Sequence, residues 1–174
     1  MFDLDAYLAR IGLHGHPSVQ QVHLAHVTSI PFENLDPYCG IPVSLAVDDL
    51  ERKLVSKHRG GYCFEQNLLL KAGLEALGAE VDLFPCTCAH RRNAWRHVSP
   101  FVKGVIVSAH TRDGRPSMLR DWGDGLALKE QTPAGTIVTP VALDAVPNLL
   151  STRFGLPGYA VDADGELIPV HLTG

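Results

Sequence analysis

A glycine pair followed by a cysteine at the head of an amphipathic run constrains this chain more than any other stretch of it. Arg59-Gly60-Gly61-Tyr62 interrupts whatever precedes it, and Cys63 then opens the clearest helix in the sequence. Leu70, Leu74 and Leu77 recur at i, i+4 and i+7, and Gly78 supplies the stop. A thiolate rather than a thiol attacks acyl carbons, and the partial positive charge at a helix N-terminus favours the ionised form. The two glycines leave room for a substrate carbonyl, and the amides of the first turn suit a tetrahedral oxyanion. The position suits a nucleophile but does not by itself outweigh the commoner fate of a lone cysteine. A buried, inert cysteine is the other reading of the same residue.

Around this helix the chain divides by periodicity. Asp3 to Ile11 reads as a short helix capped by Asp3 or Asp5, and Ser18 caps a second running to about Val27. Ile30-Pro31-Phe32-Glu33-Asn34-Leu35-Asp36-Pro37 is expected to be a loop or edge segment, because proline biases its predecessor away from helix. Asp48 or Asp49 begins a third helix, Leu50 to about Lys57. Beyond Gly78 the pattern turns to strands at residues 102–107, around Met118-Leu119 and at Thr136 to Val141. Turn signals stand at Asp113-Gly114 and Asp164-Gly165, the second inside a C-terminal hairpin. Helices first and strands later predict α+β: a helical subdomain over residues 1–80 and a β-rich one over 81–174.

Composition narrows the function. Among 174 residues, 45% hydrophobic and 20% charged content is ordinary for a globular chain. A net charge of −4 argues against nucleic-acid binding, which needs a basic surface. No run approaches the roughly 20 apolar residues of a membrane span. The acidic, amphipathic start predicts no secretory signal, and the uneven spacing of Cys39, Cys63, Cys86 and Cys88 predicts reduced thiols and a cytoplasmic setting. Cys86-x-Cys88-x-His90 could share one strand face as metal ligands, but no second ligand pair follows at the usual spacing, so no metal is expected. His23 and His26, at i and i+3, are read as structural.

Arg59-Gly60-Gly61-Tyr62-Cys63-Phe64-Glu65-Gln66-Asn67 resembles the active-site signature of the arylamine N-acetyltransferases. Phe2 to Gly12, His23-Leu24-Ala25-His26 and Ile30-Pro31-Phe32-Glu33-Asn34-Leu35 are similar to the same family, from about residue 2 to residue 84. The resemblance implies a cysteine-protease-like core, with a helical domain followed by a β-barrel-like one. The family's third, α/β lid domain is expected to be largely absent here, which leaves the catalytic edge open and makes a homodimer conceivable. It also implies ping-pong chemistry in which Cys63 takes an acetyl group from acetyl-CoA and passes it to an arylamine or hydrazine.

In the family a histidine takes the thiol proton and an aspartate orients the imidazole. Leu119-Arg120-Asp121-Trp122-Gly123-Asp124-Gly125 is similar to the family's aspartate phrase, so Asp121 is carried over as the orienter. Read alone, Asp121 is a turn residue rather than an orienter. The position across the hairpin from Asp121 falls near Lys103 or Val105, and neither is a base. His97, in Arg96-His97-Val98, is similar to the family's histidine phrase but comes several residues early; the resemblance makes it the expected base ahead of His110, which lies near the turn. The rival readings are a non-catalytic relative kept as a binding module, and an enzyme forming amides on a carrier-bound acyl chain.

Overall fold

The computed structural model describes residues 2–84, 100–110, 116–121 and 125–172. Helix α1 (Leu4–Arg10) is capped by Asp3, whose carboxylate accepts the Ala6 amide at 2.9 Å. Helix α2 (Val19–Ser29) begins in a capping box, Ser18 and Gln21 exchanging side-chain bonds with each other's amides. Both caps lie at the residues the sequence marks. The next stretch is only partly extended. Strand β1 (Phe32–Glu33) lasts two residues before a helical turn, α3 (Leu35–Tyr38). Pro37 is tolerated there because the amides of a first turn have no intrahelical partner to lose.

Helix α4 (Val47–Leu50) starts slightly before the expected aspartates and widens into a π-helical turn over Glu51–Ser56. The helix led by the cysteine, α5 (Cys63–Ala76), ends at Leu77 and Gly78, the glycine at φ +86°. The apolar stretch near residue 102 departs from expectation. Pro100–Lys103 forms a helical turn, α6, and the strand begins only at Ile106.

Strands β2 (Ile106–His110), β3 (Pro116–Asp121), β4 (Leu126–Thr132) and β5 (Gly135–Pro140) join β1 in one antiparallel sheet, ordered β1-β2-β3-β4-β5. Helix α7 (Val146–Phe154), closed by Gly155 at φ +66°, packs on it, and β6 (Tyr159–Val161) and β7 (Leu167–Pro169) form the expected C-terminal hairpin. The architecture is α+β. The sheet is open among the described residues, not a closed barrel, because the free side of β1 is occupied: Phe32 forms a parallel bridge with Gly61.

Two apolar clusters hold the elements. Tyr7, Leu8, Val22, Leu50, Leu54 and Leu69 pack the helical one; Leu35, Val107, Leu119, Leu128, Leu150 and Leu156 pack sheet against α7. Asn34 joins the two halves. Its side-chain amide donates to the carbonyls of Phe101 (2.9 Å) and Gly104 (2.8 Å) and its Oδ1 accepts the Ile106 amide (2.7 Å). One fully buried side chain thus sets where β2 starts.

Candidate active site

Cys63 occupies the first position of α5, half-buried and free. It opens onto a cleft of about 270 Å³ lined also by His23, His26, Phe32, Ser108 and His110. Burial pushes its thiol pKa up, and the amides of Phe64 and Cys63, which pull it down, do not fully compensate. The expected ionisation by the helix terminus is therefore corrected in its net direction. Among the described residues no imidazole hydrogen-bonds to the Cys63 sulfur.

The glycines before the cysteine have a different reason from the one expected. A Cβ on Gly60 would stand 2.3 Å from the Pro31 carbonyl oxygen, and one on Gly61 would stand 2.9 Å from the Glu65 carboxylate. The space they leave is filled by β1 and by an acid, so substrate has no claim on it. Gly60→Ala is expected to lose about 3 kcal/mol of stability, the upper end for overpacking, since the obstacle is main chain. Urea unfolding checks this, and an unchanged midpoint would refute it.

A cluster of charges beneath Cys63 escaped the sequence reading. The Arg59 guanidinium donates to Glu33 through Nε (3.1 Å) and Nη2 (2.7 Å), and to Asp36 at 2.8 Å. Lys53 Nζ, brought inward by the π turn, reaches Asp36 at 2.7 Å and Glu65 at 2.8 Å. Glu33 also accepts the Leu35 amide at 2.7 Å, and Glu65 the Tyr62 amide at 3.0 Å. Burial alone would strip charge from these groups. For Arg59 and Lys53 the surrounding carboxylates win and their pKa values rise; for Asp36 the two cations win and its value falls. Glu65 is the exception, since burial lifts it to about 7 against the pull of Lys53.

His26 is bonded at both ring nitrogens. The Tyr7 hydroxyl lies 3.0 Å from Nδ1, and Nε2 lies 2.7 Å from Gln66 Oε1. The Gln66 amide nitrogen is committed to carbonyls, Pro31 at 2.8 Å and Gly61 at 3.3 Å, so Oε1 must accept and Nε2 must carry the proton. Burial lowers the His26 pKa to about 4, from 6.5. Between these values the unfolded chain binds more protons, so this contribution is complete above pH 6.5 and is lost as pH falls toward 4. It amounts to about 3 kcal/mol. Glu65 acts with opposite sign, stabilising at low pH and losing its contribution as pH rises through about 7. The stability of His26→Gln is therefore expected to fall less steeply than that of the parent between pH 6.5 and 4. Parallel slopes in urea unfolding would refute this.

The remaining expected residues are not all brought together. His97, like Cys86, Cys88 and His90, lies outside the described residues. Asp121 ends β3, one step past the Ile106–Arg120 pair, so the register sets buried Val105 against it, where the family would carry an imidazole. His110 pairs with Pro116 at the far end of the same hairpin. At about 3.3 Å per residue it is roughly 16 Å from Asp121 along the strands. It does line the cleft of Cys63.

A family model described as N-acetyltransferase matches residues 17–98, covering α2, the charge cluster and the whole of α5. The fold and its cysteine-headed helix thus define an N-acetyltransferase-type domain. The arylamine N-acetyltransferase of Mycolicibacterium smegmatis is 52% identical over 152 residues, which make up 83% of this chain and 52% of that relative. The chain spans about half the length of that curated relative. A solved structure of an M. smegmatis arylamine N-acetyltransferase superposes with a TM-score of 0.73 at 24% identity, covering 90% of this chain and 93% of the other. The Mycobacterium marinum arylamine N-acetyltransferase, solved in complex with CoA, superposes at 0.72 and 21% identity, covering 88% and 93%. The relatives that this chain matches, by sequence over part of their length and by fold, are arylamine N-acetyltransferases.

Proposed function

We propose that this chain transfers an acetyl group from acetyl-CoA to an arylamine or hydrazine through a thioester on Cys63. The reading is carried by a free thiol at the first position of α5, open to a cleft that also holds an imidazole. In the first half-reaction the Cys63 sulfur attacks the thioester carbonyl and its proton passes to the imidazole. The bond to the coenzyme A sulfur breaks, and that sulfur leaves with the proton. In the second, the amine nitrogen attacks the Cys63 thioester and loses a proton to the imidazole, and Cys63 departs as a thiol. The first-turn amides steady the oxyanion in both. The family and the CoA-bound relative support this donor.

Two imidazoles compete for the proton. His97 has the family phrase, with Asp121 as its orienter; His110 has the shared cleft, which supports it over His97. His23 lines the same cleft from an exposed position on α2, and His26 has no free ring nitrogen. No helix among the described residues is long and apolar enough to cross a membrane. A cytoplasmic setting accords with the free Cys39 and Cys63.

Incubation with acetyl-CoA is expected to give one acetyl adduct by intact mass, mapped to Cys63 and discharged by an arylamine. Of His97→Gln and His110→Gln, the variant that loses the adduct identifies the base. An adduct formed only from a carrier-bound acyl chain would overturn the acetyl-CoA reading in favour of amide formation on a carrier. No adduct from any thioester would leave a binding module.

A further inference from the structure

The cleft wall beneath Cys63 carries a chain of hydrogen bonds that the acyl-transfer steps do not use. It runs from the Tyr7 hydroxyl on α1, through the His26 ring on α2, to the Gln66 amide one turn into α5. It ends on the carbonyls of Pro31 and Gly61. These are the backbone groups that fix how the chain enters α5. The Gly61 amide donates to Pro31 (3.3 Å), the Gly61 carbonyl accepts the Glu33 amide (3.1 Å), and Cys63 follows two residues later.

The chain has a direction. Gln66 can hold two carbonyls only while its nitrogen faces them, and a flipped amide would set Oε1 against both. What prevents the flip is the Nε2 proton of His26, which requires Oε1 opposite it. What keeps that proton on Nε2 is the Tyr7 hydroxyl donating to Nδ1. Tyr7 is in turn held by close packing: a Cβ on Gly73 of α5 would stand 2.4 Å from its ring. Each link is buried or half-buried.

We propose that Tyr7, His26 and Gln66 are positioning residues that lock the first turn of α5 and thereby hold the amides of Cys63 and Phe64 on the Cys63 sulfur. Its relevance to acyl transfer rests on Cys63 being the nucleophile; the relay itself does not. Without the relay the Pro31–Gly61 junction loosens, the two amides drift from the sulfur, and the thiol loses what opposes its burial. The other titratable groups near that sulfur, His23 and His110 across the cleft and Glu65 on the same turn, are untouched by the substitutions below.

The pH dependence of iodoacetamide labelling at Cys63, read by peptide mapping, tests this without any acyl donor. His26→Phe is expected to shift the profile upward by about half a pH unit or more, because the amides favour the charged sulfur. His26→Gln, whose amide can restore a donor to Gln66, should return most of the shift. A structural loss elsewhere would lower stability in both variants and leave the profile in place. Should His26→Phe fail to fold, Tyr7→Phe decides, since it keeps the ring against Gly73 and removes only the hydroxyl. It is expected to shift the profile in the same direction by less. Profiles matching the parent in the folded variants overturn the proposal. A shifted profile in a protein that forms no acyl adduct leaves the relay standing and removes the enzyme reading.

Discussion

Arg59→Ala is expected to destabilise this protein by about 3–5 kcal/mol, the cost of breaking a buried ion pair by removing one partner. That is a large part of the roughly 5–15 kcal/mol of a typical domain. Glu33 is fully buried and takes two of its hydrogen bonds from this guanidinium; the nearest other cation, Lys53, stands 3.9 Å away and already serves Asp36 and Glu65. The substitution also removes a cation held over the Tyr159 ring, 5.5 Å from its centroid. Arg59→Lys should recover only part of the loss, because an ammonium cannot make the forked contact. Adding Glu33→Leu to Arg59→Ala should recover part as well by removing the stranded charge, though the Leu35 amide then loses its acceptor. Urea unfolding of the three variants measures these differences. A loss below about 1 kcal/mol in Arg59→Ala would mean that solvent reaches Glu33 and that the cluster holds little together.

The second large effect falls on chemistry. Cys63→Ser keeps the size and position of the side chain yet is expected to lower acetyl-adduct formation by at least about a thousandfold, in line with removing a covalent nucleophile elsewhere. A serine hydroxyl hardly ionises near neutral pH, whereas the thiol, even with its pKa raised by burial, supplies some thiolate. Because the substituted residue is half-buried at the first position of α5 and the exchange keeps its size, stability should change little. Quantitative mass spectrometry after a timed pulse of acetyl-CoA reads the first quantity and thermal unfolding the second. Adduct on Cys63→Ser at the parent's rate would move the nucleophile elsewhere, and Cys39, raised to about 11 and bonded to the Leu167 carbonyl, is poorly placed to replace it.

Local signals carried the first half of the fold. Asp3, Ser18 and Gly78 act on residues within a turn of themselves, and each element they bound is where periodicity puts it. The misses have distant causes. Leu126–Thr132 is rich in Leu, Ala, Lys, Glu and Gln, residues that favour helix, and becomes a strand because β3 and β5 pair with it on either side. The turn at Pro100–Lys103 follows from Asn34, about seventy residues earlier, taking the Phe101 carbonyl within it and the Gly104 carbonyl just after it.

The candidate site divides in the same way. Cys63 was legible because glycines and a helix mark it locally. The charge cluster was not, because nothing in the spacing of Glu33, Asp36, Lys53, Arg59 and Glu65 says that a π turn will carry Lys53 inward. His26 was read as structural, but the direction of its hydrogen bonds depends on Tyr7 and Gln66 together, nineteen and forty residues away. His110 comes into the cleft through the strand register, which a single sequence leaves open.

The crowding at Gly60 and Gly61 matters to anyone diversifying this chain by design or selection. Random codons at those two positions would spend most of a library on molecules that cannot assemble, because a main-chain carbonyl and a carboxylate already fill the room a side chain would need. Variation intended to change what the thiol meets belongs instead at Val27 and Leu70, helical residues that border the opening.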